Sequence, residues 1–202
     1  MPEQPVPPSP RSGQLVTGEF GLLDAGGPEV TIRERHKLSI VQVTARKDQA
    51  EAAIGAIDGA LRLRLSLEPN CAVVTEATAA LWIGPGQWLL VAHGRHEGEL
   101  CRILSGTAGA HAALTDHSHG RCVVRIAGPA TRMLLAKGCP LDLDPHAFQP
   151  GQCAQSLIGP FGALIHLVEA APAFDLYVSR SYARSFAEWL FEAAAEFGYR
   201  VV

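Results

Sequence analysis

The stretch AALWIGPGQWLLVA, residues 79 to 92, decides the fold class of this 202-residue chain. Two apolar runs, at 79–83 and 87–92, lie on either side of a tight turn at Pro85 and Gly86. Short apolar runs separated by turn residues are typical of a β-hairpin. We therefore predict two antiparallel strands here, with an antiparallel sheet built around them.

The residues before this hairpin predict a strand and then a helix. KLSIVQVTAR (37–46) has the composition of a strand. From 48 to 61 the apolar residues recur at helical spacing. Asp48 is predicted as the N-cap of this helix, with Glu51 completing a capping box. A short strand is possible at 72–75.

The same order of elements recurs in the second half of the chain. Further strands are predicted at 110–116, 120–128, 152–159, 163–170 and 174–180, and further helices at 97–104, 129–137 and 181–197. Strand, helix, two strands and helix therefore occur twice, at about 37–105 and 120–197. Each half resembles a split βαβ unit. The prediction is an α+β fold of two tandem split βαβ (ferredoxin-like) half-repeats, with mainly antiparallel sheets and packed helices, in a single domain over 15–202.

Composition excludes several classes of function. The first 14 residues are rich in proline and poor in large apolar side chains, which predicts a disordered tail over 1–14. The net charge is −3 with acids and bases mixed, so no nucleic-acid partner is expected. The apolar runs are broken by Gly and Pro and are too short to cross a bilayer, so no membrane association is expected either.

Cysteine usage indicates a reducing compartment. The chain has five cysteines, an odd number, and no CxxC pair: Cys71, Cys101, Cys122, Cys139 and Cys153. This pattern favours a cytoplasmic protein with buried thiols. It does not favour a zinc site.

The segment LLAKGCPLDLDP (134–145) has two interpretations. Cys139 could be a nucleophile beside the positive charge of Lys137. Alternatively, the segment ends a helix: Gly138 is the left-handed residue after the last turn, Lys137 serves the last carbonyls, and Pro140 stops the helix. The helix-stop interpretation is preferred, because thiolates are favoured at helix N-termini and not past C-termini.

A group of histidines is a second candidate for chemistry. His111, His117 and His119 lie with Asp116 in HAALTDHSHGR. A metal site would need three or four such ligands converging in space. A solvated loop also accounts for them, and the sequence favours the loop.

The turn that contains these histidines has a structural interpretation as well. Asp116 and Ser118 are expected to hydrogen-bond their own backbone. Arg121 could pair with Asp116 across the turn. No nucleophile elbow, phosphate-binding loop or dinucleotide fingerprint occurs, and no catalytic, cofactor-binding or metal residue is predicted.

The last predicted helix carries a candidate interface residue. Its apolar stripe is formed by Ala183, Phe186, Ala187, Leu190, Phe191, Ala194 and Phe197. Trp189 points away from this stripe, towards the polar side of the helix. Trp189 could therefore pack at a domain edge or anchor a partner protein.

Several motifs together resemble the gamma-subunit family of heterotetrameric sarcosine oxidases. They are the ALWIGPGQWLLV hairpin, the turn formed by Asp116, Ser118, Gly120 and Arg121, LLAKGCPLDL (134–143), an aromatic before PG (Phe148, Pro150, Gly151), PGQCAQSLIG (150–159) and FDLYVSRSYA…WL (174–190). The similarity covers most of the chain after about residue 15. It implies a fold like the folate-binding domain of aminomethyltransferases.

The resemblance also implies a function. It implies a non-catalytic gamma subunit that works with alpha, beta and delta subunits, in a complex that oxidatively demethylates sarcosine. Such a complex uses oxygen and tetrahydrofolate and yields glycine, hydrogen peroxide and methylene-tetrahydrofolate. FAD, FMN, NAD, tetrahydrofolate and zinc are expected in the partner subunits and none in this chain. Trp189, Asp116 and Arg121 are the candidate residues for the partner interface.

A second hypothesis is a stand-alone folate-binding or one-carbon-transfer protein. In that case Arg121, Arg125 or His119 could contact the glutamate tail of a folate. The first hypothesis is preferred, because kinship of fold does not carry function with it.

Overall fold

The structure is a computed structural model that describes residues 15–22 and 26–202. The described chain forms two compact units. The first unit contains the described residues up to Arg35 together with Cys122–Pro150 and Gln155–Val202, and the second contains His36–Arg121 and Gly151–Ala154. The predicted disordered tail, 1–14, lies outside the described residues, and the arrangement of two half-repeats in one domain stays a prediction.

Strands and helices follow one another along the described chain. In chain order they are β1 (Gly18–Phe20), β2 (Val30–Glu34), β3 (Leu38–Ala45), α1 (Ala50–Leu61), β4 (Ala72–Val74), β5 (Thr78–Gly84), β6 (Gln87–His93), α2 (Glu99–Ser105), β7 (Ala112–Asp116), β8 (Arg121–Ala127), α3 (Thr131–Ala136), β9 (Cys153–Ile158), β10 (Phe161–Glu169), β11 (Ala173–Ser179), α4 (Ala183–Ala194) and β12 (Tyr199–Val201). One turn of 3₁₀ helix precedes α4 and another follows it. None of the helices in the described ranges is long and apolar enough to span a bilayer.

The second unit contains a sheet in the order β4-β5-β6-β3-β7, with antiparallel neighbours throughout. The predicted hairpin at 79–92 is confirmed as β5 and β6, with Leu81 opposite Leu89 and Trp82 opposite Trp88. The φ of Gly86 is +65°, a value that favours glycine, and the amide of Ala45 donates to its carbonyl.

The helices α1 and α2 contribute to the apolar core of the second unit. Its members include Val41, Val43, Ile54, Ile57, Trp88, Leu90, Leu100 and Leu104. The indole of Trp88 is almost fully buried, and its Nε1–H donates to the carbonyl of Ser66 at 2.7 Å. The start of α2 is satisfied by tertiary structure, because the amide of Leu100 donates to Oγ of the buried Ser39 on β3.

The predicted N-cap of α1 is wrong. Asp48 has a φ of +58°, so it forms the tight turn before the helix, and Gln49 is the N-cap with no side-chain capping bond. The capping box with Glu51 is therefore absent. The side chain of Gln49 instead hydrogen-bonds Nδ1 of His111 at 3.0 Å.

The first unit contains a sheet in the order β1-β12-β2-β8-β11-β10-β9. The antiparallel strands β10 and β11 were predicted, as was β8. The sequence did not predict β1, β2 or β12, which lie together at one edge. There β12 pairs antiparallel with β1 and parallel with β2.

The apolar stripe of α4 is confirmed, since Phe186, Ala187, Leu190, Phe191 and Ala194 are all buried. Phe186 packs edge-on against Phe161 of β10, with ring centroids 5.7 Å apart. Phe191 stacks on Tyr199 of β12 at 5.3 Å. The remaining bounds differ from prediction by a few residues; α3, for example, begins two residues after Pro129, the residue predicted at its first position. The α+β class with mainly antiparallel sheets is confirmed.

Candidate partner interface

Hydrogen bonds of Asp116 and Ser118 hold the turn between β7 and β8 in place. Oδ1 of Asp116 accepts from both the amide and the hydroxyl of Ser118, at 2.8 and 2.6 Å. Oγ of Ser118 in turn accepts from the amide of Ile40 on β3 at 3.0 Å. Ser118 is buried, so this hydrogen bond is protected from water. The predicted local role is confirmed for Asp116, whose carboxylate accepts from the amide of Ser118. For Ser118 it is wrong, because its oxygen accepts from the amide of Ile40 on a distant strand.

Arg121 does not pair with Asp116. In the described part of the chain, no carboxylate lies within 4 Å of its guanidinium, because the Asp116 carboxylate is turned towards Ser118. Arg121 is half-buried, and this burial lowers the pKa of its guanidinium. An interface role for Asp116 and Arg121 stays a prediction.

Two of the three histidines of the turn region have separate side-chain partners. His111 contacts Gln49, and Nε2 of His119 lies 3.3 Å from a carboxylate oxygen of Glu97. Burial lowers the pKa of His117, with Arg121 lowering it further, so His117 is neutral at pH 7. Within residues 15–22 and 26–202, no group of three or more His, Cys, Asp or Glu side chains is arranged to hold a metal ion.

The segment after α3 ends the helix in a different way from the one predicted. Gly138 does not have a positive φ, so it is not a left-handed cap. The amides of Gly138 and Cys139 both donate to the carbonyl of Leu135, which continues the turn. Cys139 is buried, and its thiol lies 3.9 Å from Oγ of Ser156. The helix-stop interpretation holds, but glycine is required at 138 for another reason.

That reason is Trp189. A Cβ atom added to Gly138 would lie 2.5 Å from Cζ2 of the Trp189 indole, and one added to Gly159 would lie 2.9 Å from its Nε1. The indole also stacks on Phe186, with ring centroids 6.5 Å apart. Trp189 is half-buried and packs within the first unit. A further contact with a partner protein stays a prediction.

Lys137 follows α3, but its side chain binds the C-terminal end of another helix, α4. Its Nζ donates to the carbonyl of Ala193 in the last turn of α4. It also pairs with Glu196 at 2.6 Å and lies 4.7 Å from the ring centroid of Phe197. A cation at the C-terminal end of α4 is favoured by the helix dipole. Lys137 therefore ties α3 to α4 and does not activate Cys139.

Two other thiols are held in the neutral form. Burial raises the pKa of Cys122 to about 12, and the neighbouring carboxylate of Glu34 raises it further. Burial also raises the pKa of Cys153 to about 12. A thiol with so high a pKa is a poor nucleophile near pH 7.

A cluster of charges on the sheet of the first unit was not singled out from the sequence. Asp175 of β11 is buried, and Arg125 of β8 donates to it bidentately through Nε at 2.7 Å and Nη2 at 2.8 Å. Nη1 of Arg35 lies 3.1 Å from the same carboxylate. The hydrogen bond to Asp175 raises the pKa of Arg125. A signal was present in the sequence, because Asp175 interrupts an otherwise apolar strand.

Each unit contains a cavity. One of about 30 Å³ in the first unit is lined by residues that include Cys122 and Glu34, and it has room for about one water molecule. The other, of about 430 Å³ in the second unit, is lined by Lys37, Gly94, Arg95, His96 and Glu97. Among the charged residues that line this cavity, Arg95 forms an ion pair with Glu99 at 2.6 Å.

The arrangement of two sheets with helices packed on them is a known fold. It is shared with the glycine cleavage system aminomethyltransferase T from Bartonella henselae, at a TM-score of 0.60 over 87% of this chain and 48% of that one. The sequence identity is 13%, so this likeness concerns the fold alone. The protein is thus an α+β protein with the fold of an aminomethyltransferase.

The sequence gives a more specific assignment than the fold does, because it identifies a family. Residues 46–196 match the model of the sarcosine oxidase, gamma subunit family. The chain belongs to this family, as its motifs predicted. It is also similar to a chain of the heterotetrameric sarcosine oxidase from Corynebacterium sp. U-96 in complex with pyrrole 2-carboxylate, with 26% identity, a TM-score of 0.75, and 85% of this chain and 87% of that chain covered.

Curated relatives agree with this assignment. Sarcosine oxidase subunit gamma of Arthrobacter sp is 36% identical over 53% of this chain and 53% of the relative. The protein of the same name from Corynebacterium sp. (strain P-1) is 30% identical over 60% of this chain and 59% of the relative. In these matches the chain spans a little more than half the length of the relatives.

Proposed function

We propose that this chain is the non-catalytic gamma subunit of a heterotetrameric sarcosine oxidase. It would support assembly with alpha, beta and delta subunits in the cytoplasm. The assembled complex would oxidatively demethylate sarcosine with oxygen and tetrahydrofolate, giving glycine, hydrogen peroxide and methylene-tetrahydrofolate. FAD, FMN, NAD, tetrahydrofolate and zinc would be held by the partner subunits.

One structural observation supports this proposal in addition to family membership. In the turn that is shared with the family, Asp116 accepts from the amide of Ser118, and Ser118 accepts from the amide of Ile40 on β3. Ser118 is buried and its oxygen accepts from a backbone amide, so this hydroxyl is out of reach of a substrate. This supports a scaffolding role for the turn.

The test is co-expression of the full-length chain with the other three subunits. We expect all four to co-purify, and omission of this chain to lower the yield of assembled complex at least several-fold. In the complex that still assembles when this chain is omitted, the activity per complex should be unchanged. A chain that remains monomeric in the presence of all three partners contradicts the proposal.

The fold of aminomethyltransferase T favours a second candidate, a stand-alone folate-binding protein. Two of the contacts suggested for a folate tail are already engaged, since Arg125 pairs with Asp175 and His119 with Glu97. Calorimetry of the isolated chain with tetrahydrofolate separates the two candidates. Micromolar affinity supports the second candidate, and no binding at millimolar ligand removes it.

A further inference from the structure

Three arginines share one face of the sheet in the first unit. Arg33 of β2 lies directly opposite Arg125 of β8 in the antiparallel register. The ladder continues one step further, because the amide of Arg35 donates to the carbonyl of Val123 at 2.8 Å. Since successive residues of a strand alternate between faces, Arg33 and Arg35 point to the same face as Arg125.

A buried carboxylate lies on this face. Asp175 is 3% exposed, and it contacts the side chains of Arg125 and Arg35, which are 27% and 20% exposed. The bidentate contact fixes the plane of the Arg125 guanidinium, and the buried carboxylate leaves both arginines little freedom to turn away. The arginines are therefore already oriented before any partner arrives.

Arg33 has no such partner. In the described ranges, no carboxylate lies within 4 Å of its guanidinium, and the residue is exposed. Glu169 acts on Arg125 electrostatically but forms no ion pair with it. On this face Arg33, Arg35 and Arg125 thus lie around the buried carboxylate of Asp175, with the charge of Glu169 acting on Arg125 as well.

The placement of Arg33 opposite Arg125 is unfavourable for the isolated chain. Like charges directly opposite each other on neighbouring strands destabilise the strand pair. The charge of these arginines is also opposite in sign to the net charge of the chain, which is −3. An acidic partner would relieve the repulsion, and complementary charge of this kind governs the rate and specificity of docking more than area does.

We propose that Arg33, with Arg35 and Arg125 held by Asp175, is the docking site for a carboxylate-bearing segment of a partner subunit. The inference rests on the proposed function, because it supplies the contact for that assembly. Arginine is enriched at protein interfaces, and its planar group binds a carboxylate through two parallel hydrogen bonds. Arg33 is the residue to test, since it is exposed and takes no part in the Asp175 cluster.

The experiment compares Arg33→Glu with the unchanged chain in the four-subunit complex. Association is measured at about 50 and 500 mM salt, because screening weakens exposed charge pairs. We expect Arg33→Glu to weaken association at least tenfold at low salt while the melting temperature of the isolated chain stays the same or rises. Arg33→Lys keeps the charge but loses the two parallel hydrogen bonds, so its affinity should lie between those of the unchanged chain and Arg33→Glu.

Arg184→Glu is the matched control, because Arg184 is an exposed arginine of α4 and the change of charge is identical. We expect it to leave association unchanged. Equal association for Arg33→Glu and the unchanged chain overturns this inference while leaving the proposed function standing. If the unchanged chain does not associate at all, the proposed function and this inference both fail.

A small anion is tested separately. Glutamate is titrated into the isolated chain by calorimetry. Binding of free glutamate at micromolar concentration, lost in Arg33→Glu while association with the subunits is kept, would assign the site to a small carboxylate and overturn the partner assignment. No binding at millimolar glutamate, together with the loss of association, supports it.

Discussion

The indole of Trp189 lies against the α-carbon of Gly138, so close that position 138 has no room for a side chain. Trp189 belongs to α4 and Gly138 to the segment after α3, so their contact joins these two parts of the first unit. Gly159, at the turn before β10, lies under the same ring. A pair of glycines thus forms the surface on which the tryptophan packs.

We expect Gly138→Ala to destabilise the protein by about 1–3 kcal/mol, because overpacking forces side chains and backbone to shift. A new Cβ would lie 2.5 Å from the indole and 2.6 Å from the amide nitrogen of Gly159. Urea denaturation measures the change. Gly59→Ala in α1 is the control, since no atom lies within 4 Å of a Cβ there; it should be neutral or stabilising. Equal stability of Gly138→Ala and the unchanged chain would show that the contact is loose.

Trp189→Ala should lower the free energy of unfolding by about 2–4 kcal/mol, because the ring loses its contacts with Phe186 and the two glycines. Met133→Ala is the control, since Met133 is an exposed apolar residue of α3 and 56% accessible. Association with the partner subunits is measured at a temperature where Trp189→Ala is still folded. A loss of association there, beyond the loss of stability, would support the predicted interface role. A change smaller than that of Met133→Ala would contradict the packing role.

Ser118→Ala should destabilise the protein by about 1–3 kcal/mol, because the buried amide of Ile40 is left without its acceptor. Ser118→Thr keeps an acceptor oxygen and should restore part of the loss. Ser105→Ala serves as the comparison, since that exposed hydroxyl donates to a carbonyl within its own helix. Thermal melting of the three variants checks the expectation, and it is wrong if Ser118→Ala melts with the unchanged chain.

Native-state alkylation should distinguish the five cysteines. We expect Cys122, Cys139 and Cys153 to react with iodoacetamide at pH 8 at least a hundredfold more slowly than a free cysteine, because all three are buried. For Cys122 and Cys153 the raised pKa also keeps the thiolate scarce. Mass spectrometry of time points gives the rates. Fast labelling of Cys139 would revive its interpretation as a nucleophile.

The same two thiols predict alkaline sensitivity. Each has an ordinary pKa of 9.0 that rises to about 12 in the folded protein, so the folded state holds more protons than the unfolded state between those values. Stability is therefore complete below about pH 9 and falls as the pH rises towards 12, by up to about 1.4 kcal/mol per pH unit for each thiol. Urea denaturation from pH 8 to pH 11 measures this slope. Cys122→Ala should reduce it, and an unchanged slope in that variant would contradict the role of this thiol.

The sequence predicted those strands and helices whose local residue pattern is enough to specify them. The hairpin of β5 and β6 has apolar runs and a glycine in its turn, and the stripe of α4 has helical spacing, so both were found. The strands β1, β2 and β12 are short, and each pairs with a segment far away in the chain. The three residues of β1 and of β12 are too few to show a pattern. The β-branched Val30, Thr31 and Ile32 of β2 favour a strand, and that signal was missed.

The details of the candidate interface were harder to predict, because they depend on distant partners. Glycine at 138 after a helix suggests a left-handed cap, but its reason is an indole from another helix. Asp48 before a helix suggests an N-cap, but its own backbone has a positive φ. The charges of Arg33, Arg35 and Arg125 could be read from the sequence, whereas their common face depends on strand register, which only the assembled sheet defines.

The edge of the sheet at β12 has a consequence for how the protein is made. Tyr199–Val201 separates β1 from β2, so the first strand has no neighbour in the sheet until the ribosome has finished residue 201. The second unit, in contrast, draws on His36–Arg121 for nearly all its residues and can begin to fold much earlier in synthesis. Removal of Tyr199–Val201 would therefore leave β1 without its strand partner as well.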